Sequence, residues 1–165
     1  MNLLLQFLLD PKLPLWKFCF AAFPIALFPS AAIYPLVYAS LQAAGVDPTH
    51  FQPPVRTGGM SGWFGAVVFA PFVETLLLAA VLSILLKLTN RKVFIAVASG
   101  LLWGALHAAF GLLWFFGTVW SFFVLSCAYL GWQGRSLREA FAAAWVPHVL
   151  VNLSAMAVIS LTNAA

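Results

Sequence analysis

Phe69-Ala70-Pro71-Phe72-Val73-Glu74-Thr75-Leu76-Leu77-Leu78 places one carboxylate, Glu74, inside an apolar run that extends from about residue 63 to residue 86. A run of roughly 20 apolar residues spans the hydrocarbon core of a bilayer. An acid at that depth costs about 2.5–3.5 kcal/mol on insertion, so it must turn toward protein groups or water. The chain offers few groups to meet it. His107, His148 and Asn152 are the main polar side chains in the other apolar runs. These four residues are expected to converge on one site.

The rest of the composition agrees with a membrane setting. The 165 residues are 64% hydrophobic and only 7% charged, whereas a soluble domain carries about a quarter charged residues. The apolar residues come in long runs and do not alternate with polar ones. This predicts an all-α, polytopic integral membrane protein forming a single domain over residues 1–165. The formal charge of +4 comes from basic residues placed between apolar runs. Membrane orientation explains that placement, and no nucleic-acid partner is expected. Cys19 and Cys127 fall within apolar runs and read as core residues, not as a disulfide or a metal pair. No secretory signal peptide is expected: the first apolar segment has no basic cluster before it, and the next run is too long.

Residues 2–9 are mostly Leu and Phe and stop at Asp10-Pro11. They are too short to span, so residues 1–17 are predicted to be an interfacial N-terminal segment. A first span over residues 18–44 contains Pro24, Pro29 and Pro35. It should be kinked or broken and packed on neighbours that satisfy its freed carbonyls. Residues 45–62 form a connection rich in Gly and Pro that holds Asp47, His50 and Arg56; His50 reads as an ordinary loop histidine. The second span, over residues 63–86, carries Glu74. The forty residues from Val93 to Trp132 then contain no Lys, Arg, Asp or Glu, which is too many for one helix crossing about 30 Å. A hairpin broken near Phe110-Gly111 gives spans over residues 93–110 and 113–131. The fifth span covers residues 141–161 and holds His148 and Asn152. Residues 18–61 are thus an accessory helix and loop, and residues 62–161 a four-helix core of catalytic type.

Charge tests this arrangement. With five spans, Lys12, Lys17, Lys87, Arg91, Lys92, Arg135 and Arg138 share one side, and only Arg56 lies on the other. That asymmetry predicts a cytoplasmic N-terminus. Trp16 and Trp132 would mark the inner boundary and Trp63 and Trp114 the outer. Glu74 then lies about 16 Å and His107 about 10 Å in from the outer side, with His148 about 10 Å and Asn152 about 16 Å up from the inner side.

His148 and Asn152 are four residues apart and share a helix face, as do Trp103 and His107. Pro147 loosens the backbone beside His148. Two chemistries use this set. In one, Glu74, helped by His107, takes a proton from water, while His148 and the Asn152 amide hydrogen-bond the oxyanion formed at an attacked carbonyl. In the other, Glu74, His107 and His148 ligate zinc and leave a fourth position for water; no HExxH arrangement is present. Each group also has a plainer use, since His and Asn in membrane helices often only bond a neighbouring helix. Gly65, Gly100 and Gly104 read as close-packing positions.

Pro71-x-x-Glu74, Trp103-x-x-x-His107 and His148-x-x-x-Asn152 together resemble the three motifs of the CAAX protease and bacteriocin-processing (CPBP) family. Those motifs are Glu-Glu-x-x-x-Arg, Phe-x-x-x-His and His-x-x-x-Asn/Asp on successive membrane helices. The resemblance covers residues 62–161. It implies an intramembrane endopeptidase acting on a membrane-associated protein or peptide, in a bacterial cytoplasmic membrane, without a cofactor. Glu74 and His107 would activate water, and His148 and Asn152 would stabilise the oxyanion. The first motif departs from the pattern: Thr75 stands for the second Glu and Ala79 for the Arg, while Trp103 replaces Phe. Positions 75 and 79 would form an ion pair on one helix face, so losing both leaves no charge stranded. The same departure suits a non-catalytic relative with an immunity or partner-binding role.

Overall fold

A computed structural model describes residues 3–53 and 59–163. Within those residues the chain is helical and forms no strand, in the order α1 (Leu3–Leu9), α2 (Leu15–Ala43), a short 3-10 turn (Pro48–Phe51), α3 (Gly59–Phe64), a π turn (Gly65–Phe69), α4 (Ala70–Leu88), α5 (Lys92–Ala108), α6 (Leu112–Trp132) and α7 (Leu137–Asn163). Four helical stretches are long and apolar enough to cross a membrane: Leu15–Ala43, Gly59–Leu88, Leu112–Trp132 and Leu137–Leu161. The fifth, α5, has 17 residues and rises about 26 Å, at the short end of what spans a bilayer. The protein is an all-α integral membrane bundle. Arg56, the lone basic residue expected at the far end, lies outside the described residues, as do Pro54 and Gly58.

α6 is the central helix. Its apolar window is 56% buried, against 17–28% in the other three long helices, and α1, α2, α5 and α7 all pack on it. α5 approaches it closely because Gly100 and Gly104 carry no side chain; a Cβ on Gly100 would lie 2.9 Å from the Val119 carbonyl oxygen. A buried Ser126–Ser99 hydrogen bond of 2.9 Å joins the same pair of helices. Gly65 begins the π turn, and a Cβ there would meet no other atom within 4 Å, so no close approach requires a glycine at that position.

The hairpin between α5 and α6 breaks at Ala109–Gly111, where the two-span reading placed it. α2 is continuous through its three prolines. Pro29 has no N–H to give the Ile25 carbonyl, and the Trp120 indole Nε1 of α6 donates to that oxygen at 2.8 Å. A neighbouring helix thus supplies the bond that the proline removed.

α1 is not a free interfacial anchor. Leu8 is fully buried, Phe7 stacks on Phe18 at 5.2 Å, and Phe18 packs edge-on to Trp132 at 5.4 Å. Trp132 is itself fully buried, with the Arg135 guanidinium 4.3 Å from its ring centroid. It therefore does not mark a lipid boundary, because Phe18 of α2 and the Arg135 side chain pack on it; Trp16, 62% exposed, remains available for that role. Lys92 Nζ donates to the Leu130 carbonyl at 3.0 Å and Arg135 to the Pro11 carbonyl at 2.6 Å. These bonds gather the α1–α2, α4–α5 and α6–α7 connections at one end of the bundle. α7 opens there on Ser136, whose hydroxyl accepts from the Glu139 N–H at 3.1 Å and donates to the Glu139 carboxylate at 3.0 Å. At the opposite end, Asp47 accepts from the Thr49 N–H and hydroxyl. Those bonds, the backbone one foremost, hold its carboxyl below the usual carboxylate range.

α1 is seated by one residue of α6. A Cβ on Gly131 would collide with the Leu8 carbonyl oxygen, whereas Gly134 has open space. Gly131→Ala is expected to lower the thermal unfolding midpoint in detergent, through an overpacking cost of about 1–3 kcal/mol. Gly134→Ala is expected to leave that midpoint in place.

Candidate functional site

Four polar side chains from three helices lie at a similar level of the bundle. Counted along each helix from the basic end, Glu74 is about 21 Å up α4, His107 about 22 Å up α5, and His148 and Asn152 about 16 and 22 Å up α7. The structure joins two of them directly. His148 Nε2 lies 3.4 Å from the Glu74 carboxylate oxygen Oε2. The histidine side chain is 4% exposed and the glutamate side chain 25% exposed. The acid faces open space on one side and the buried ring on the other.

His148 Nδ1 is buried and has no hydrogen-bond partner. When Glu74 is ionised, a neutral His148 ring carries its proton on Nε2 and donates to the carboxylate; when Glu74 holds a proton of its own, the carboxylic acid donates to Nε2 and the ring proton is on Nδ1. The second state presents a buried N–H with nothing bound to it.

His107 occupies the last turn of α5. Its Nδ1 lies 2.8 Å from the Trp103 carbonyl oxygen one turn earlier. A carbonyl only accepts, so Nδ1 carries the ring proton and Nε2 holds the lone pair. The Phe122 ring of α6 packs against His107 at 5.3 Å and against His148 at 5.1 Å. Phe122 also stacks on Trp103 at 4.7 Å, and Trp114 closes edge-on to His107 at 5.0 Å. The two imidazoles are thus neighbours across one phenyl ring, and no hydrogen bond joins His107 to Glu74. Among the described residues, no three His, Cys, Asp or Glu side chains are grouped so as to hold a metal ion. Glu74, His107 and His148 accordingly do not form the ligand set that the zinc alternative requires.

Asn152 does something different. Its Nδ2 donates to the Ala66 carbonyl at 2.8 Å, inside the π turn. That turn exists because the Ala70 N–H reaches back to the Gly65 carbonyl. Residue 71, next in line to serve Ala66 in the same pattern, is a proline without an N–H. The Ala66 oxygen is therefore left over, and Asn152 pairs with it. This bond ties the turn before Glu74 to the helix that carries His148.

The sequence reading did not anticipate the residues around this set. Phe72 of α4 packs edge-on to Phe141 at 5.5 Å and to Trp145 at 6.1 Å, forming an aromatic wall between α4 and α7 beside the acid. Residues 141, 145, 148 and 152 share one helical face, and that spacing was the available signal. Thr75 is buried, with 1% exposed, and Ala79 packs against the core. The face of α4 next to Glu74 carries no second charge. Comparisons of this chain with family models, with curated proteins and with solved structures return no match.

The coupling between Asn152 and Pro71 can be measured. Asn152→Leu strands the Ala66 carbonyl and is expected to destabilise the protein by about 0.5–2 kcal/mol. Pro71→Ala restores an N–H that can serve the same carbonyl. The Asn152→Leu cost should shrink in the Pro71→Ala background, which a double-mutant cycle on unfolding midpoints in detergent reads directly.

Proposed function

We propose that this protein is an intramembrane endopeptidase of glutamate type, related to the CPBP family, cutting a peptide bond in a membrane-associated protein or peptide. The observation that carries the reading is the Glu74–His148 contact, an acid and an imidazole from separate helices meeting at mid-bilayer depth. Structural ion pairs of this kind are rare in membranes, and intramembrane acids tend to be functional.

The chemistry follows from the geometry. Glu74 takes a proton from a water molecule as the water oxygen attacks the peptide carbonyl carbon. His107 Nε2, which holds a lone pair, assists in orienting that water. The carbonyl oxygen becomes an oxyanion. Once Glu74 is protonated, the His148 Nε2–H no longer serves a carboxylate and turns to the oxyanion. Asn152 spends one Nδ2 hydrogen on Ala66 and has a second for the same oxygen. Collapse of the intermediate breaks the C–N bond, and the proton held by Glu74 goes to the leaving amine.

A second reading is a non-catalytic CPBP-like protein with an immunity or partner-binding role. It is favoured by His107, whose Nδ1 is bound within its own helix and whose ring packs among aromatic side chains without reaching Glu74. Both readings place the chain in a bacterial cytoplasmic membrane with the basic end on the cytoplasmic side.

Glu74→Gln keeps the shape and removes the base. At matched expression it is expected to lower substrate processing by about 10²–10⁴-fold; unchanged processing sinks the hydrolase reading. The second reading expects Glu74→Gln and His148→Ala to leave the phenotype intact. Orientation has its own check: alkaline phosphatase fused to the C-terminus should be active, since that enzyme folds only outside the cytoplasm.

A further inference from the structure

The basic end of the bundle contains a cleft of about 410 Å³ lined by Leu9 and Asp10 at the end of α1 and by Asn90, Arg91, Lys92 and Val93 at the α4–α5 turn. Its lining carries charges of both signs. The ion pairs among the described residues are His50–Asp47 and His148–Glu74, so Asp10 and Arg91 share the cleft without pairing. Lys92 already donates to the Leu130 carbonyl and keeps further N–H groups. Below Val93 the outer face of α5 continues with the exposed side chains of Phe94, Val97 and Leu101. The cleft therefore sits at the height of lipid headgroups, with an apolar track running from it into the hydrocarbon.

We propose that this cleft binds one phospholipid with a zwitterionic phosphoethanolamine headgroup. The phosphate takes hydrogen bonds from Arg91, Asn90 and Lys92, and the primary ammonium donates to Asp10. The acyl chains lie along α5. Asp10 decides the class. Beside an anionic headgroup such as phosphoglycerol its carboxylate is repulsive, and a quaternary choline has no N–H to offer it. The two signs in one cleft match a dipolar headgroup with a donor at its positive end. The site is remote from Glu74 and does not depend on the proposed activity.

The test uses the full chain, purified in detergent and stripped of lipid, with dioleoyl phosphatidylethanolamine, phosphatidylglycerol or phosphatidylcholine added at equal ratios. Native mass spectrometry reads retained lipid and thermal unfolding reads the midpoint. Phosphatidylethanolamine is expected to stay bound as a one-to-one adduct about tenfold more tightly than the other two, as one charge-assisted contact implies. Asp10→Asn should bring phosphatidylethanolamine and phosphatidylglycerol to parity. Arg91→Gln should weaken all three, and Arg138→Gln, another exposed charge at the same end, should change nothing. Glycerophosphoethanolamine, the headgroup without chains, should bind far more weakly than the lipid; equal binding would place recognition in a free phosphate and overturn the lipid assignment. The proposal also fails if phosphatidylglycerol binds tightest in the unaltered protein, or if Asp10→Asn leaves the lipid order unchanged. Asp10 and Arg91 are both exposed, so an unchanged unfolding midpoint in lipid-free detergent verifies that each variant is folded.

Discussion

In the hydrocarbon of a bilayer a backbone carbonyl without a partner costs several kcal/mol, and no water is at hand to supply one. Proline creates such carbonyls. Pro29 leaves the Ile25 oxygen to the Trp120 indole, and Pro71 together with the π turn leaves the Ala66 oxygen to Asn152. Each repair is made by a side chain on another helix. Two local defects thereby become two long-range links, α2 to α6 and the π turn to α7. The second link matters for chemistry. It fixes how α7 sits along α4, and one turn before Asn152 the same face of α7 brings His148 against Glu74. The acid–imidazole contact depends on a backbone defect eight residues earlier in the chain.

Much of the fold was legible in the sequence because the bilayer imposes coarse rules. Run lengths and the absence of charge over residues 93–132 were enough to find the helices, and Trp114 was enough to place the hairpin break beside Gly111. The need for neighbours to satisfy the carbonyls of α2 was also readable, since proline chemistry is local. What escaped was set by contacts between distant residues. Trp132 is of a type that marks boundaries, yet it is buried, with Phe18 of α2 and the Arg135 guanidinium packed on its ring. The π turn was hidden because its cause is a pairing shift, not a residue type. Its one local sign, Pro71 ahead of a lone acid, reads equally well as an ordinary first-turn proline.

For the site, the sequence named the polar residues and their depth but could not say how each spends its hydrogen bonds. Spacing of four places Trp103 and His107 on one face, and the same spacing lets the imidazole bond the Trp103 carbonyl. That local choice fixes the tautomer and turns Nε2, not Nδ1, away from the helix. Asn152 likewise had two uses available, and the backbone took one of its hydrogens. The aromatic residues that hold the arrangement, Phe122 above all, lack any polar mark that could single them out from the rest of a 64% hydrophobic chain.

Exposure gives the site a direction. Glu74 keeps a quarter of its side-chain surface open, while His148 beside it is almost fully enclosed. Any proton exchanged with the surroundings must pass through the carboxylate first. The imidazole can answer only through Nε2, because Nδ1 is buried without a partner. Burial makes a charged His148 expensive, so the carboxylate is the member of the pair better placed to gain and lose a proton. The aromatic wall of Phe72, Phe141 and Trp145 flanks the acid; its one polar group, the Trp145 indole N–H, is buried and only donates, so it takes no proton. On the proposed reading, an acid open on one side and backed by a ring that cannot reach solvent would be the group through which a proton enters and leaves the site.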